Sequence, residues 1–129
     1  MYFSETDMKN NSQKFGEEAE EAAKLFLKKK GYTILASNWR FKKYEIDIIA
    51  EFKNIIVFFE VKARSSNVFG EPEVFVTKKK QTFIITAAAH YLKEGMIEKE
   101  ARFDIISVLQ INNNLTVKHL EHAFYPSVK

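Results

Sequence analysis

Phe15, Ala19, Ala22, Ala23, Phe26 and Lys30 fall within a narrow arc at ~100° per residue, with Leu27 at its edge. The spacing predicts a helix over about 12–30, and Gly31 stops it after a lysine-rich last turn. The period then shortens to two. Residues 32–37 predict a strand, with 39–43 a basic continuation or turn. Segments 45–52 and 55–63 are rich in Ile, Val and Phe and predict two more strands, joined at Lys53-Asn54. Residues 65–72, with Gly70 and Pro72, predict a loop. Thr77 is placed to cap a second helix, whose apolar stripe (Phe83, Ile84, Ala87, Ala88, Tyr91, Leu92) runs to about residue 94. Segments 102–110 and 115–123 predict two final strands around Asn112-Asn113-Asn114. The order α-β-β-β-α-β-β implies an α/β fold, with helices against a mixed central sheet. Residues 1–12 are polar and predict a flexible tail, leaving 13–125 as a single domain.

Composition narrows the chemistry. The 129 residues include no cysteine, which excludes disulfides, zinc–thiolate sites and a cysteine nucleophile. No apolar run approaches the ~20 residues of a spanning helix, and the first residues carry no secretory pattern, so no membrane association and a cytoplasmic location are expected. Lys and Arg number 20 against 17 Asp and Glu, a mild excess of +3. Its distribution says more: Lys28 to Lys30, Arg40 with Lys42 and Lys43, Lys62 with Arg64, and Lys78 to Lys80 form basic clusters. Each also fits a plain solvated surface.

The strongest chemical signal lies in the central hairpin. Strand side chains alternate in direction, so Ile56, Phe58, Glu60 and Lys62 share one face, as do Glu45, Asp47 and Ile49 opposite Ile46, Ile48 and Ala50. A two-residue turn at Lys53-Asn54 pairs Phe52 with Ile55 and sets Asp47 opposite Glu60. Two carboxylates ~4.5–5.5 Å apart repel, and a divalent cation relieves the repulsion. Mg²⁺ suits one or two protein carboxylates together with substrate phosphate oxygens. Lys62 is then placed to orient an attacking water or offset phosphate charge. The same three residues also satisfy a simple ion-pair cluster at a sheet end. On the first helix, Glu20 lies closest to the apolar arc among Glu17, Glu18, Glu20 and Glu21, so it is the acid that the helix can bring to the same place.

These residues sit within a longer pattern. It comprises G-E-E-A-E at 16–20, K-K-K-G-Y-T-I-L-A-S-N-W-R at 28–40, E-I-D-I-I-A at 45–50 and V-F-F-E-V-K-A-R at 57–64. F-G-E-P at 69–72, R-F-D-I-I at 102–106 and E-H-A-F at 121–124 complete it. In order and spacing it resembles the YraN family, small bacterial proteins regarded as candidate endonucleases with a restriction-endonuclease-like core. The superfamily pattern, PD-(D/E)xK, is an acid on one strand and E-x-K on the next, here Asp47 and Glu60-Val61-Lys62. Archaeal Holliday-junction resolvases are similar in layout. The resemblance implies a metal-dependent endonuclease acting on DNA, selective for branched or junction structure. It implies Mg²⁺ or Mn²⁺ held by Asp47, Glu60 and the Val61 carbonyl, with Glu20 completing the site directly or through water. Lys62 would assist the nucleophilic water, and Glu45 is a weaker candidate for the acidic face. Arg64, Lys80, Lys43 and Arg40 are the candidate nucleic-acid contacts. The chain departs from the family pattern at Tyr44 and Ala19, where glycine is usual. Tyr44 either crowds the substrate backbone or stacks on a base.

An alternative keeps the fold without turnover, as a nucleic-acid-binding or protein-interaction module. Phosphate contacts alone do not separate DNA from RNA. Cutting two strands implies a homodimer. Other residues carry less. His119 and His122 point to opposite faces of a strand and cannot chelate one ion together. Ser65 and Ser66 lack a nucleophile-elbow context, and the four glycines form no phosphate-binding fingerprint. Arg102 and Asp104, side by side by alternation, predict an ion pair. Trp39, Phe58, Phe59, Phe83 and Phe103 are expected in the core.

Overall fold

Two of the three hairpin turns rest on residues that accept a left-handed backbone. Lys53 and Asn54 have φ of 48° and 66°, and Asn112 and Asn113 have φ of 48° and 67°. Positive φ at both central residues gives the two-residue turn whose twist matches that of paired strands. The chain between them is seen in a computed structural model that describes residues 5–65 and 76–126. The elements are α1 (Glu5–Lys29), β1 (Thr33–Phe41), β2 (Tyr44–Phe52), β3 (Ile55–Ser65), α2 (Lys78–Glu94), β4 (Ala101–Ile111) and β5 (Asn114–Phe124). The predicted loop beyond Ser65, with its F-G-E-P motif, lies outside the described residues.

The α-β-β-β-α-β-β order is as expected, and three boundaries differ. α1 begins at Glu5 rather than near residue 12. Segment 5–12 contains neither glycine nor proline to stop a helix. β1 runs on to Phe41, which pairs with Tyr44 across Lys42-Lys43, so the basic continuation is strand. β3 extends to Ser65, because β4 pairs with it along its whole length.

The five strands lie in the order β1-β2-β3-β4-β5. All neighbours are antiparallel except β3 and β4, which are parallel and joined through α2. A parallel pair needs such a crossover. α2 starts at its predicted cap, where the Thr77 hydroxyl accepts the Lys80 N–H at 3.1 Å.

Each helix covers one face of the sheet. Ala19, Ala23 and Leu27 of α1 are fully buried against Ile48, Ala50, Val57, Phe59, Ile106 and Val108. Ile84, Ala87 and Ala88 of α2 pack on Ile46, Ile49, Ile56, Phe58, Phe103 and Ile105. The small side chains bring both helices close to the sheet. Ala19, one of the two departures from the family pattern, is thereby absorbed into the core. No helix among the described residues is long and apolar enough to cross a membrane.

Candidate active site

β2 and β3 pair in the predicted register, from Phe52–Ile55 to Ile48–Phe59. One step further would set Asp47 against Glu60, but the ladder ends there. Asp47 replaces the missing strand contact with its side chain, whose Oδ2 accepts the Val61 N–H at 2.8 Å. The alternation of β2 also breaks here. Ile46 and Ile49 belong to the core under α2, whereas Ile48 and Ala50 belong to the core under α1. The expectation that Glu45, Asp47 and Ile49 share one face opposite Ile46 and Ile48 is therefore corrected. Asp47 lines a cavity on the α1 side while Ile49 is buried beneath α2. The cause lies in β1. Asn38 stands between the pairs Ser37–Ile48 and Trp39–Ile46 with φ of 51°, a left-handed kink that disrupts the pleat.

Glu60 stays on the face of Ile56 and Phe58, so the two acids meet where the strands part. Glu60 is 4% exposed. Its Oε1 lies 3.7 Å from Lys62 Nζ and 3.8 Å from Lys80 Nζ. Its Oε2 is buried with no hydrogen-bond partner. Burial pushes the Asp47 carboxyl up to about 7, and the neighbouring Glu60 charge adds to this against the Val61 N–H. Burial likewise raises Glu60, with Lys80 and Lys62 opposing.

Glu20 lies on the far side of the same cavity, which holds about 380 Å³ and is also lined by Asn38, Asp47, Val61 and Ala63. Its Oε1 accepts from Asn38 Nδ2 at 2.8 Å. Burial and the charge of Asp47 raise its pKa, opposed by Lys24 and the Asn38 bond. Among the described residues no three acidic or histidine side chains converge on one point that could hold an ion.

The residues present fit a hard dication held by two carboxyls. Glu60 Oε2 is an orphaned buried acceptor. The carboxyls of Asp47 and Glu60 are both destabilised as anions, a penalty that an adjacent cation removes. In a strand the N–H and C=O of one residue point to the same neighbour, so the Val61 carbonyl also faces the β2 side, past the last pair.

The other candidates scatter. Arg40, 69% exposed, pairs with Glu45 at 3.7 Å. Lys43 is exposed over the rings of Tyr44 and Phe83. Arg64 is half-buried on β3, opposite Leu109. Lys80, expected on phosphate, lies against Glu60. Trp39 and Phe83 are only half-buried, unlike Phe58, Phe59 and Phe103.

One cluster went beyond the predicted ion pair. Arg102 Nη2 donates to Asp104 Oδ2 at 2.7 Å and also to the Tyr32 hydroxyl. His119 Nε2 lies 2.6 Å from the same Asp104 oxygen, and the His122 N–H donates to the other at 3.1 Å. Burial would raise Asp104, but the bonds from His119 and Arg102 hold it below its ordinary value. His119 is enclosed by Phe26, Tyr32 and Phe59, while His122 is exposed and stacks on Tyr125, so the pair forms no chelate. R-F-D at 102–104 was the signal for the ion pair, while His119 lies outside the E-H-A-F motif and joins it only through the pairing of β4 with β5.

A mixed five-stranded sheet with a helix on each face, and acids where its central strands part, defines a restriction-endonuclease-like α/β core. The family model described as uncharacterised protein family UPF0102 matches residues 19–108. The chain belongs to that family, the YraN family that its motifs resemble. A UPF0102 protein of Phocaeicola vulgatus is 42% identical over 114 residues, covering 88% of this chain and 94% of that one. One from Flavobacterium psychrophilum is 45% identical over 116 residues, covering 90% and 95%. One from Desulfosudis oleivorans is 44% identical over 118 residues, covering 91% and 94%.

Proposed function

We propose that this protein is a metal-dependent endonuclease that hydrolyses phosphodiester bonds in DNA. The observation that carries this reading is the Asp47–Glu60 pair at the divergence of β2 and β3, with Lys62 beside it and Glu60 Oε2 left without a partner. Asp47, Glu60 and the Val61 carbonyl would hold Mg²⁺ or Mn²⁺. When bound, the ion supplies Lewis-acid activation of the phosphate and of water. The chain's own residues do the rest. The Val61 N–H orients Asp47. Lys62 is close enough to position a water against phosphorus and to offset the charge that builds there. Lys80 offers a second positive charge at the same edge. Glu20 faces the cavity where a water can bridge it to Asp47. As the water oxygen bonds to phosphorus it gives up a proton. The bond to the leaving sugar oxygen breaks and that oxygen takes up a proton, leaving a phosphate monoester end and a hydroxyl end.

A second reading, a nucleic-acid-binding or protein-interaction module without turnover, has one observation in its favour. Lys62 and Lys80 both approach Glu60, so the chain neutralises much of that acid itself. Cleavage separates the two. Labelled single-stranded, duplex, flap and four-way-junction DNA are incubated with Mg²⁺, Mn²⁺ or EDTA. The nuclease cuts at least one of them only with metal, Asp47→Asn abolishes cutting, and Lys62→Ala lowers its rate by roughly 100-fold or more. A module binds in EDTA as well as in Mg²⁺, cuts nothing, and is indifferent to Asp47→Asn.

A further inference from the structure

Beside the carboxylates, on the α2 side, half-buried rings stack in two pairs. Tyr44 lies on Phe83 with centroids 4.7 Å apart, and Phe41 lies on His90 at 3.7 Å. Phe83 and His90 are seven residues apart on α2, so the pairs follow one another over roughly 10 Å of helix. Phe83 lies one helical turn beyond Lys80, whose ammonium is 3.8 Å from Glu60, so the first pair neighbours the residue that reaches the acids. Exposed lysines border the row. Lys43 Nζ is 5.9 Å from the Tyr44 centroid and 5.7 Å from that of Phe83. Lys79 Nζ is 5.8 Å from Phe83, and Lys42 Nζ is 5.4 Å from Phe41.

We infer that this row is a stacking platform for unpaired bases, and that the DNA taken by the proposed nuclease site carries a single-stranded segment next to the bond to be cut. The inference rests on that site being a nuclease centre and names its substrate class. All four rings are half-buried, Phe41 and Tyr44 packing on the core under α2, and the aromatic surface they leave exposed is open to an unpaired base, whereas bases inside a duplex are already stacked and cannot reach it. The lysines hold the rings now by cation–π contact. A base that covers a ring displaces the ammonium only a few ångströms, onto the adjoining phosphate. Lysines border both ring pairs, so the phosphates of one strand can meet them while its bases cover the rings. A duplex offers only its phosphates, which the lysines alone can meet.

The test is binding in EDTA, which leaves cleavage out of the readout. The full chain is titrated into a 20-nucleotide single strand containing 2-aminopurine, and into its blunt duplex, following anisotropy and 2-aminopurine quenching. The wild type is expected to bind the single strand about tenfold tighter than the duplex and to quench the fluorophore. Tyr44→Ala should weaken single-strand binding about tenfold and abolish quenching, leaving duplex binding unchanged, and Tyr44→Phe should restore both. Lys43→Ala should weaken both DNAs alike. Circular dichroism and melting temperature establish that each variant is folded. Equal single-strand affinity in Tyr44→Ala and wild type, or an equal loss on both DNAs, overturns the inference, as does a wild type that binds no DNA. Metal-dependent cutting with no effect of Tyr44→Ala leaves the nuclease standing and removes the platform. Stacking without cutting on any substrate keeps the platform and removes the nuclease.

Discussion

Asp47 is held in a place that disfavours its charge, and the sign of its pH dependence follows. Its folded-state carboxyl sits at about 7, well above the ordinary 3.8, chiefly through burial and then through Glu60. The folded chain therefore binds this proton more tightly than the unfolded chain does. Stability contributed by the protonated group is present below about pH 4 and is lost as pH rises towards 7, with a limiting slope of about 1.4 kcal/mol per pH unit. Asp47→Asn removes the penalty. Its midpoint in urea, measured in EDTA, should exceed that of the wild type at pH 8 and match it at pH 4. In the proposed nuclease site the same ionisation would govern cation binding. Mg²⁺ should raise the melting temperature of the wild type at pH 8 far more than at pH 5.5, and should leave Asp47→Asn nearly unmoved. A metal effect that is equal at both pH values would remove Asp47 from the ligand set.

The break in β2 belongs to paired strands rather than to one side chain. Asn38 adopts φ of 51° inside β1 and donates to Glu20, so one residue both kinks the strand and ties it to α1. Asparagine tolerates this backbone far better than an alkyl residue. Asn38→Ala should cost about 1–2 kcal/mol in urea unfolding, through strain and the lost bond. Asn38→Gly relaxes the backbone and should cost less, while still freeing Glu20. If alanine and glycine cost the same, the kink is not what Asn38 maintains. Helix periodicity singled out Glu20 correctly as the acid nearest the packed face, yet it could not reveal that Asn38 holds its carboxylate.

The Arg102–Asp104–His119–Tyr32 network joins the chain just after α1 to β4 and β5, and is a buried ionic centre separate from the Asp47–Glu60 pair. Here the sign is opposite. Asp104 is held below its ordinary value by its partners, so its stabilisation is present above the unfolded pKa and is lost as pH falls through the lower folded one. Asp104→Asn leaves Arg102, only 7% exposed, with just the half-exposed Glu121 carboxylate at 3.9 Å. Breaking such a pair should cost roughly 3–5 kcal/mol. Chemical denaturation at pH 7 measures this, and a loss under 1 kcal/mol would mean that water reaches Arg102 in the folded protein.

Much of this was legible from local information. Helix periodicity, the strand alternation on β3, the caps and the asparagine turns are set by neighbours in the chain, and the β2–β3 register from Phe52–Ile55 to Ile48–Phe59 follows from a two-residue turn. E-x-K on one strand and an acid on the previous one could be placed by counting. Three features needed the folded chain. The reversal of pleat at Asp47 depends on a kink in the adjoining β1, and alternation within a strand carries no trace of its neighbour. The closure of Lys80 on Glu60 depends on where α2 docks after a long connection. Asp104 and His119 meet because β4 and β5 pair with a register shift, which brings two distant strand segments into one buried network. Local chemistry chose the candidates, while long-range packing set their distances and charge states, because both depend on segments far apart in the chain.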